Sequence, residues 1–264
     1  MPRNERPTFG HSRRGFLRAL GLGAGTLTLS GCDALSQAPW FRKLLFSAEE
    51  LTIAAQRAVL GPNDLAREYT EADMSPAFRA NGSTSVDDPE YLHHAASGFA
   101  DWRLKLDGLV ENPGEYSLAD LRAMPSRTQI TRHDCVEGWS CIGKWKGAPL
   151  AHLLERAKLK PEARYIVFHC ADSLEKLLDR SGQYYESIGL DDAFHAQTIL
   201  AYEMNDATLP IAHGAPLRVR VERQLGYKMA KYVMRIEAVE SFAAIKGGNG
   251  GYWEDRGYEW YAGI

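Results

Sequence analysis

The pattern of apolar and polar positions divides the chain into three textures. From Ala19 to Leu29 the residues are mostly Gly, Ala and Leu, apolar on every side. This run is too short to cross a bilayer as a mature helix, which needs about 20 residues. From Ser47 the periodicity becomes helical. Leu51, Ala54, Ala55 and Ala58 share a face, Ser47 and Glu50 are spaced as a capping box, and Gly61-Pro62 closes the run. From Trp102 onward, short alternating runs take over. Trp102–Gly108, Arg127 to Cys135, Tyr165–His169, Thr198–Met204, Leu217–Val221 and Tyr232–Val239 read as strands. Asn112-Pro113-Gly114 and Asn205-Asp206 read as turns. Ser117 opens a short helix to Met124, and Pro149–Ala157 is helical with Leu150, Leu153 and Leu154 on one face. Strands broken by short helices, without regular β-α-β alternation, predict an α+β fold rather than a doubly wound sheet.

Composition adds size and charge to this picture. With 264 residues, 45% of them hydrophobic, the chain can bury one large core or two small ones. The charges are unevenly placed. Of 31 basic and 34 acidic residues, five Arg and one Glu fall before Cys32, leaving 26 basic and 33 acidic residues after it. That acidic balance excludes nucleic acid as a partner, because such binding needs a basic footprint.

The basic start and the apolar run form an address. Ser12-Arg13-Arg14-Gly15-Phe16-Leu17 is similar to the twin-arginine export signal, and Leu29-Ser30-Gly31-Cys32 resembles the lipobox of bacterial lipoproteins. The resemblance implies a signal over 1–32, lipidation at Cys32 and residence in the periplasm or cell envelope. Residues 33–74 then form an N-terminal arm with its helix, and 75–264 the functional domain. Cleavage near Ala34 or Ala38, releasing a soluble protein, is the alternative, as is a basic N-terminal helix of a cytosolic protein. The twin-arginine route carries folded, cofactor-loaded proteins, so the address itself points to a cofactor.

The cysteines are Cys32, Cys135, Cys141 and Cys170. With Cys32 lipidated, an odd number remains, and one thiol lacks an intramolecular partner unless it is ligated. No C-x-x-C occurs, which leaves neither a zinc pair nor a c-type haem site. A Cys135–Cys141 or Cys141–Cys170 disulfide is the structural alternative to a ligand role. Cys135 lies in His133-Asp134-Cys135-Val136-Glu137-Gly138-Trp139-Ser140, followed by Trp145-Lys146-Gly147-Ala148-Pro149-Leu150. A thiolate at a strand end, beside Gly and aromatics, suits a soft metal ligand in a sheltered pocket.

The run C-V-E-G-W-S, then W-x-G-x-P-L, resembles the signature of the sulfite oxidase fold family, with its periplasmic sulfoxide-reductase branch most similar. The resemblance implies a mixed-sheet, barrel-like fold in which Cys135 is the one protein ligand to molybdenum. His213-Gly214-Ala215-Pro216-Leu217-Arg218 resembles the family's H-G-x-P-x-R, and Gly226-Tyr227-Lys228-Met229-Ala230-Lys231 follows at the family's distance. These imply a molybdenum–molybdopterin cofactor bound by His213, Arg218, Gly226, Lys228, Met229, Ala230 and Lys231. Arg218, Lys228 and Lys231 are the expected phosphate donors, and Gly226 is expected to let the backbone approach closely. Phe78-Arg79-Ala80-Asn81 is similar to a segment whose Asn bonds the pterin, which adds Asn81. Cys170–Tyr185 matches neither branch and is expected to line the substrate mouth. Trp253, Tyr258, Trp260 and Tyr261 are expected to pack over a core edge.

The implied activity moves an oxygen atom and two electrons to or from a small substrate, as in reduction of an S-oxide. Oxidation of sulfite or a similar substrate is the alternative, with Arg132 and Lys144 as candidate cations. A non-catalytic binding module and a disulfide-stapled lipoprotein stay open. His133, Asp134 and Glu137 are candidates for proton transfer or for hydrogen bonding around the site. The sequence shows no haem module, so electrons are expected to pass through a separate membrane haem protein or cytochrome. Replacing Arg13 and Arg14 with Lys should leave the precursor in the cytoplasm. Normal maturation of the double variant, or a mature N-terminus other than Cys32, would contradict the route or the anchor respectively.

Overall fold

The computed structural model describes residues 38–59, 61, 63–175 and 182–264. The export signal and lipobox, Cys32 included, lie outside the described residues. The chain divides into two compact units, Met1–Ala55 and Gln56–Ile264. Helix α1 spans Pro39–Val59 and thus starts before Ser47, where the sequence pattern placed its cap. Proline at a helix start forgoes an N–H that has no partner there. Ser47 sits inside the helix, and its hydroxyl donates back to the Leu44 carbonyl at 2.7 Å. No described helix is long and apolar enough to cross a membrane.

The second unit runs α2 (Pro89–Ala96), β1 (Leu104–Gly108), β2 (Gly114–Tyr116), α3 (Leu118–Ala123), β3 (Arg127–Asp134), β4 (Ser140–Pro149) and α4 (Leu150–Ala157). It continues β5 (Tyr165–Ser173), β6 (Gln183–Gly189), α5 (Leu190–Ala193), β7 (Ile199–Met204), β8 (Ala207–Thr208), β9 (Arg218–Arg220) and β10 (Val233–Val239). One sheet has the order β2-β1-β10-β5-β6, and the other β3-β4-β7-β8 with β9 also on β7. The β1–β10 pair is parallel and the remaining pairs are antiparallel. This is the mixed α+β architecture that the alternating runs predict. Within the second unit, residues 69–75 are stitched to the second sheet, with Tyr69 N–H donating to the Ile130 carbonyl at 2.9 Å and Ser75 N–H to that of Ile142 at 3.0 Å.

Local signals explain much of this. Ser117 and Asp120 cap α3 reciprocally, the hydroxyl accepting from the Asp120 N–H and the carboxylate from the Ser117 N–H. Helix α4 buries Leu150, Leu153, Leu154 and Ala157, one stripe at helical spacing. Strand β7 is apolar except at Glu203 because it is covered on both faces. Leu200 and Tyr202 join the main core, while Ile199, Ala201 and Met204 join a second cluster around Trp145. Asn205 and Asp206 adopt φ of 51° and 62°, the left-handed pair of a tight hairpin turn.

Four strands, β2, β4, β6 and β8, and helices α2 and α5 escape the sequence pattern. In β4 the glycines hide a real alternation. Trp145 is buried, whereas Lys144 and Lys146 lean outward to Glu71, Asp206 and Glu203. Leu153→Ala should destabilise the domain by about 2–5 kcal/mol, since the cavity adds to the lost transfer energy. Denaturant unfolding measures this, and a change within error would mean that α4 is not integral to the core.

Candidate active site at the Cys135 cleft

Cys135 stands at the neck of the β3–β4 hairpin. His133 pairs with Cys141 and Asp134 with Ser140, so the strands stay in register up to the turn. The Cys135 N–H then donates to the Trp139 carbonyl at 3.0 Å, and the Gly138 N–H to the Cys135 carbonyl at 3.0 Å. Gly138 has φ +84°, a left-handed conformation that glycine adopts without strain. The side chain is half-buried, and burial pushes its thiol up, while backbone N–H groups of Glu137 and Val136 aimed at the sulfur act in the opposite sense. Successive backbone N–H groups converging on one atom form a seat for an anion, here a thiolate. Cys135, Cys141 and Cys170 are all free, so the disulfide-stapled alternative fails for these three. Among the described residues no three His, Cys, Asp or Glu side chains gather to hold a metal ion. A metal at Cys135 therefore needs its other ligands from a cofactor.

The sulfur faces a cleft of about 130 Å³ lined also by Asn81, Ser83, Asp172, Tyr184, Met229 and Lys231. Trp253 and Tyr258 stack at a centroid distance of 5.2 Å and line it too. This corrects the expectation that the C-terminal aromatics only cover a core edge. Trp260 does so, packed on Tyr165 and Phe242. Of the Cys170–Tyr185 stretch, Asp172, Leu174 and Tyr184 reach the cleft.

Beside the cleft lies a buried polar layer. Its origin is alternation in β9, which sends Leu217, Val219 and Val221 into the core and Arg218, Arg220 and Glu222 to the other side. Strand β3 meets that side with the buried polar residues Gln129, Thr131 and His133. Glu222 takes two hydrogen bonds from Arg220, at 2.9 and 2.7 Å, and one from Gln129 at 2.8 Å. Arg220 also reaches His133 Nδ1 at 3.0 Å, and both guanidinium groups lie over the Trp145 ring.

Arg218 is different. It is 0% exposed, gives one hydrogen bond to the His213 carbonyl at 3.1 Å, and leaves Nε and Nη2 without partners. Burial, then the Arg220 charge, pushes it down to about 9. Lys231 is pushed down to about 7 by burial and by Arg218, though its ammonium donates to the Ser83 and Ala212 carbonyls. His213 is pushed down to about 4 by burial, Arg218 and Lys231. His133 is held well below its usual value by burial and Arg220. Asn81 Oδ1 and His213 Nδ1 are also buried without partners. A buried polar atom left unpaired costs about 1–3 kcal/mol, so such a concentration marks a place built for a ligand. The free Arg218 donors suit an anion such as a pterin phosphate, and the Asn81 oxygen suits a hydrogen-bond donor such as a pterin N–H.

The sequence-predicted residues divide accordingly. Asn81, Cys135, Met229 and Lys231 line one cleft, and His213 and Arg218 stand electrostatically next to Lys231. Lys228 does not fit the phosphate role. Its ammonium is fully buried between Glu186 and Glu254, at 2.5 Å from each, so its charge is already met. Gly226 is needed for another reason than expected, because a Cβ there would collide with the His133 ring. Ala230 contributes its carbonyl to the Val219 N–H at 2.8 Å and buries its methyl in the core. Asp172 and Tyr184 were foreseen only as part of the Cys170–Tyr185 stretch, and Trp253 and Tyr258 had been given a packing role. The R-V-R-V-E alternation of residues 218–222 was a readable signal for the Arg220–Glu222 pair.

Comparison with known proteins fits this geometry. Residues 92–244 match the family described as "Oxidoreductase molybdopterin binding domain". The chain is 35% identical over 253 residues to a protein of Azospira oryzae provisionally named protein-methionine-sulfoxide reductase subunit YedZ1, covering 96% of this chain and 88% of that one. It is 30% identical over 237 residues to the protein-methionine-sulfoxide reductase catalytic subunit MsrP of Ralstonia nicotianae, covering 86% and 69%. Among solved structures, the sulfane dehydrogenase SoxCD from Paracoccus pantotrophus aligns over 53% of this chain and 39% of that chain, at 24% identity and a TM-score of 0.47. A cysteine-bearing cleft beside a buried, anion-seeking layer is thus found in a chain that belongs to the oxidoreductase molybdopterin-binding family, whose members include sulfoxide-reductase subunits, and the protein is a molybdopterin-dependent oxidoreductase.

Proposed function

We propose that this enzyme reduces S-oxides in the cell envelope, using a molybdenum–pterin cofactor ligated by Cys135. The observation that carries the reading is the set of unpartnered buried polar atoms at the Cys135 cleft and beside its Lys231: two guanidinium donors of Arg218, Nδ1 of His213 and the accepting amide oxygen of Asn81. In this reading Arg218 and Lys231 bind the cofactor phosphate, while Asn81 and His213 bond the pterin side. Met229 packs against it from the cleft wall. When bound, the cofactor supplies the two-electron couple for oxygen-atom transfer. The protein supplies the thiolate, orientation and a site shielded by Trp253 and Tyr258.

The charges near the cysteine favour a neutral S-oxide over sulfite. Arg132 is paired with Asp134, and Lys144 with Glu71 and Asp206. Neither cation lines the cleft, which holds Lys231 together with the acidic Glu137 and Asp172. A doubly charged anion gains little in such a site. The printed names of both relatives, protein-methionine-sulfoxide reductase subunits, point to the same substrate class. The word subunit also supports a separate electron donor, a membrane haem protein or a cytochrome. Export by the twin-arginine signal and a lipid on Cys32 would keep the enzyme beside that donor.

Single variants assayed with a reduced viologen dye, an S-oxide and metal analysis test this reading. Cys135→Ser should abolish turnover, since oxygen does not replace a soft sulfur donor. Cys141→Ser should be mild, and Cys170→Ser should reduce stability more than turnover, because that thiol is wholly buried. Arg218→Ala should weaken cofactor retention by about 2–5 kcal/mol. Equal damage from all three cysteine variants, or full occupancy in Arg218→Ala, would contradict the assignment.

A further inference from the structure

Reduction of an S-oxide consumes protons as well as electrons: one sulfoxide, two protons and two electrons give one sulfide and one water. In the proposed reading the cofactor would supply the two electrons and the separate donor would replace them. A group at the cleft must bring a proton to the oxygen as the S–O bond breaks, because a bare oxide leaves poorly.

Few groups in the cleft can do this. Tyr184 is buried, holds its proton in a hydrogen bond to the Tyr227 carbonyl, and is pushed far up by burial. The Glu137 carboxylate accepts from Trp139 Nε1 at 2.9 Å and lies on an exposed turn. Lys231 gives its ammonium to the Ser83 and Ala212 carbonyls and, in the proposed reading, to the cofactor phosphate.

Asp172 remains. It lines the same cleft as Cys135 yet is only 3% exposed. It sits where the β5–β6 register shifts, between His169 and Ser173. That irregularity turns the carboxyl inward. One oxygen accepts from the Ser83 hydroxyl, and the other, Oδ1, has no partner. We propose that Asp172 is the catalytic acid that protonates the S-oxide oxygen. In the acid form its free oxygen carries the proton, which passes to the substrate oxygen as the S–O bond breaks and water forms. The second proton of that water comes from solvent. The carboxylate left behind is stabilised by the Ser83 hydroxyl and the Lys231 charge, then regains a proton from solvent.

The surroundings suit the cycle. Facing Asp172 are Ser83 from the preceding loop, Tyr91 of α2, Cys170 of β5, Tyr184 of β6, and Lys231 and Tyr232 ahead of β10. Lys246 also acts on it from farther along the chain. Burial is the largest influence and lifts the carboxyl to about 6, against the opposing pull of Ser83 and Lys231. The acid form is therefore populated near neutral pH, as a proton donor requires.

The proposal rests on the S-oxide reading, and the test separates the two. Holoenzyme and variants, matched for molybdenum content, are assayed with reduced viologen and a dialkyl S-oxide across pH. Wild type should lose kcat as pH rises and Asp172 gives up its proton. Asp172→Asn should lower kcat by about 10²–10⁴-fold and lose that alkaline limb. Asp172→Glu should restore part of both. Ser83→Ala keeps the acid but removes a donor to the carboxylate, so its limb should move to higher pH. If Asp172→Asn does not fold, the Glu and Ser83 variants decide. A loaded Asp172→Asn enzyme with wild-type kcat, or with reduced kcat on an unchanged pH profile, overturns the proposal. So does an unmoved limb in Ser83→Ala. A loaded wild type that reduces no S-oxide overturns the underlying reading and the proposal with it.

Discussion

Arg218 is a guanidinium with no exposed surface and no carboxylate of its own. An isolated ion in that setting is expensive, and the fold tolerates it only by surrounding it with partial compensation. Trp145 offers a ring face, His213 a carbonyl, and Glu222 a charge already shared with Arg220. The compensation is incomplete by two nitrogen donors. Much of the second sheet is arranged around this deficit. Strand β9 turns its charged face toward β3, β3 answers with Gln129 and His133, and the hairpin that β3 begins carries Cys135. The metal-ligating candidate and the anion-seeking cation are thus consequences of one packed layer.

Two neighbouring ionic clusters show how differently buried charge can be used. Lys228 is met by two carboxylates, Glu186 and Glu254, and its ammonium is held firmly charged. That cluster ties β6 to the C-terminal segment and stands behind the cleft wall formed by Tyr184, Tyr227 and Trp253. Arg218 and Lys231, which flank Lys228 along the chain, are pushed down instead, Arg218 by burial and the Arg220 charge and Lys231 by burial and the Arg218 charge. Sequence alone presents all three as equivalent basic residues, and only their carboxylate neighbours tell them apart.

The legible parts were those written in local chemistry. The capping box at Ser117 and Asp120, the stripe of α4, the turn at Asn205-Asp206 and the strands of β1, β3, β7 and β10 follow from spacing. Strand β4 was hidden because Gly143 and Gly147 dilute its alternation, and α1 was shortened because Ser47 imitates a cap. At the site, Cys135, Asn81, Met229 and Lys231 were gathered by resemblance and meet in one cleft. Lys228 misled because the partners that neutralise it, Glu186 and Glu254, lie 42 and 26 residues away in sequence. Asp172 did not stand out from its stretch for a similar reason, since its role depends on burial beside Ser83 and on a bulge that no local pattern announces.

The assignment of Cys135 as a sulfur ligand to a metal in this cleft is a proposal open to direct measurement. X-ray absorption at the molybdenum edge of the purified holoenzyme counts sulfur neighbours directly. Wild type should show one more sulfur neighbour than Cys135→Ser, while Cys141→Ser should match wild type. An identical sulfur shell in wild type and Cys135→Ser would contradict the assignment.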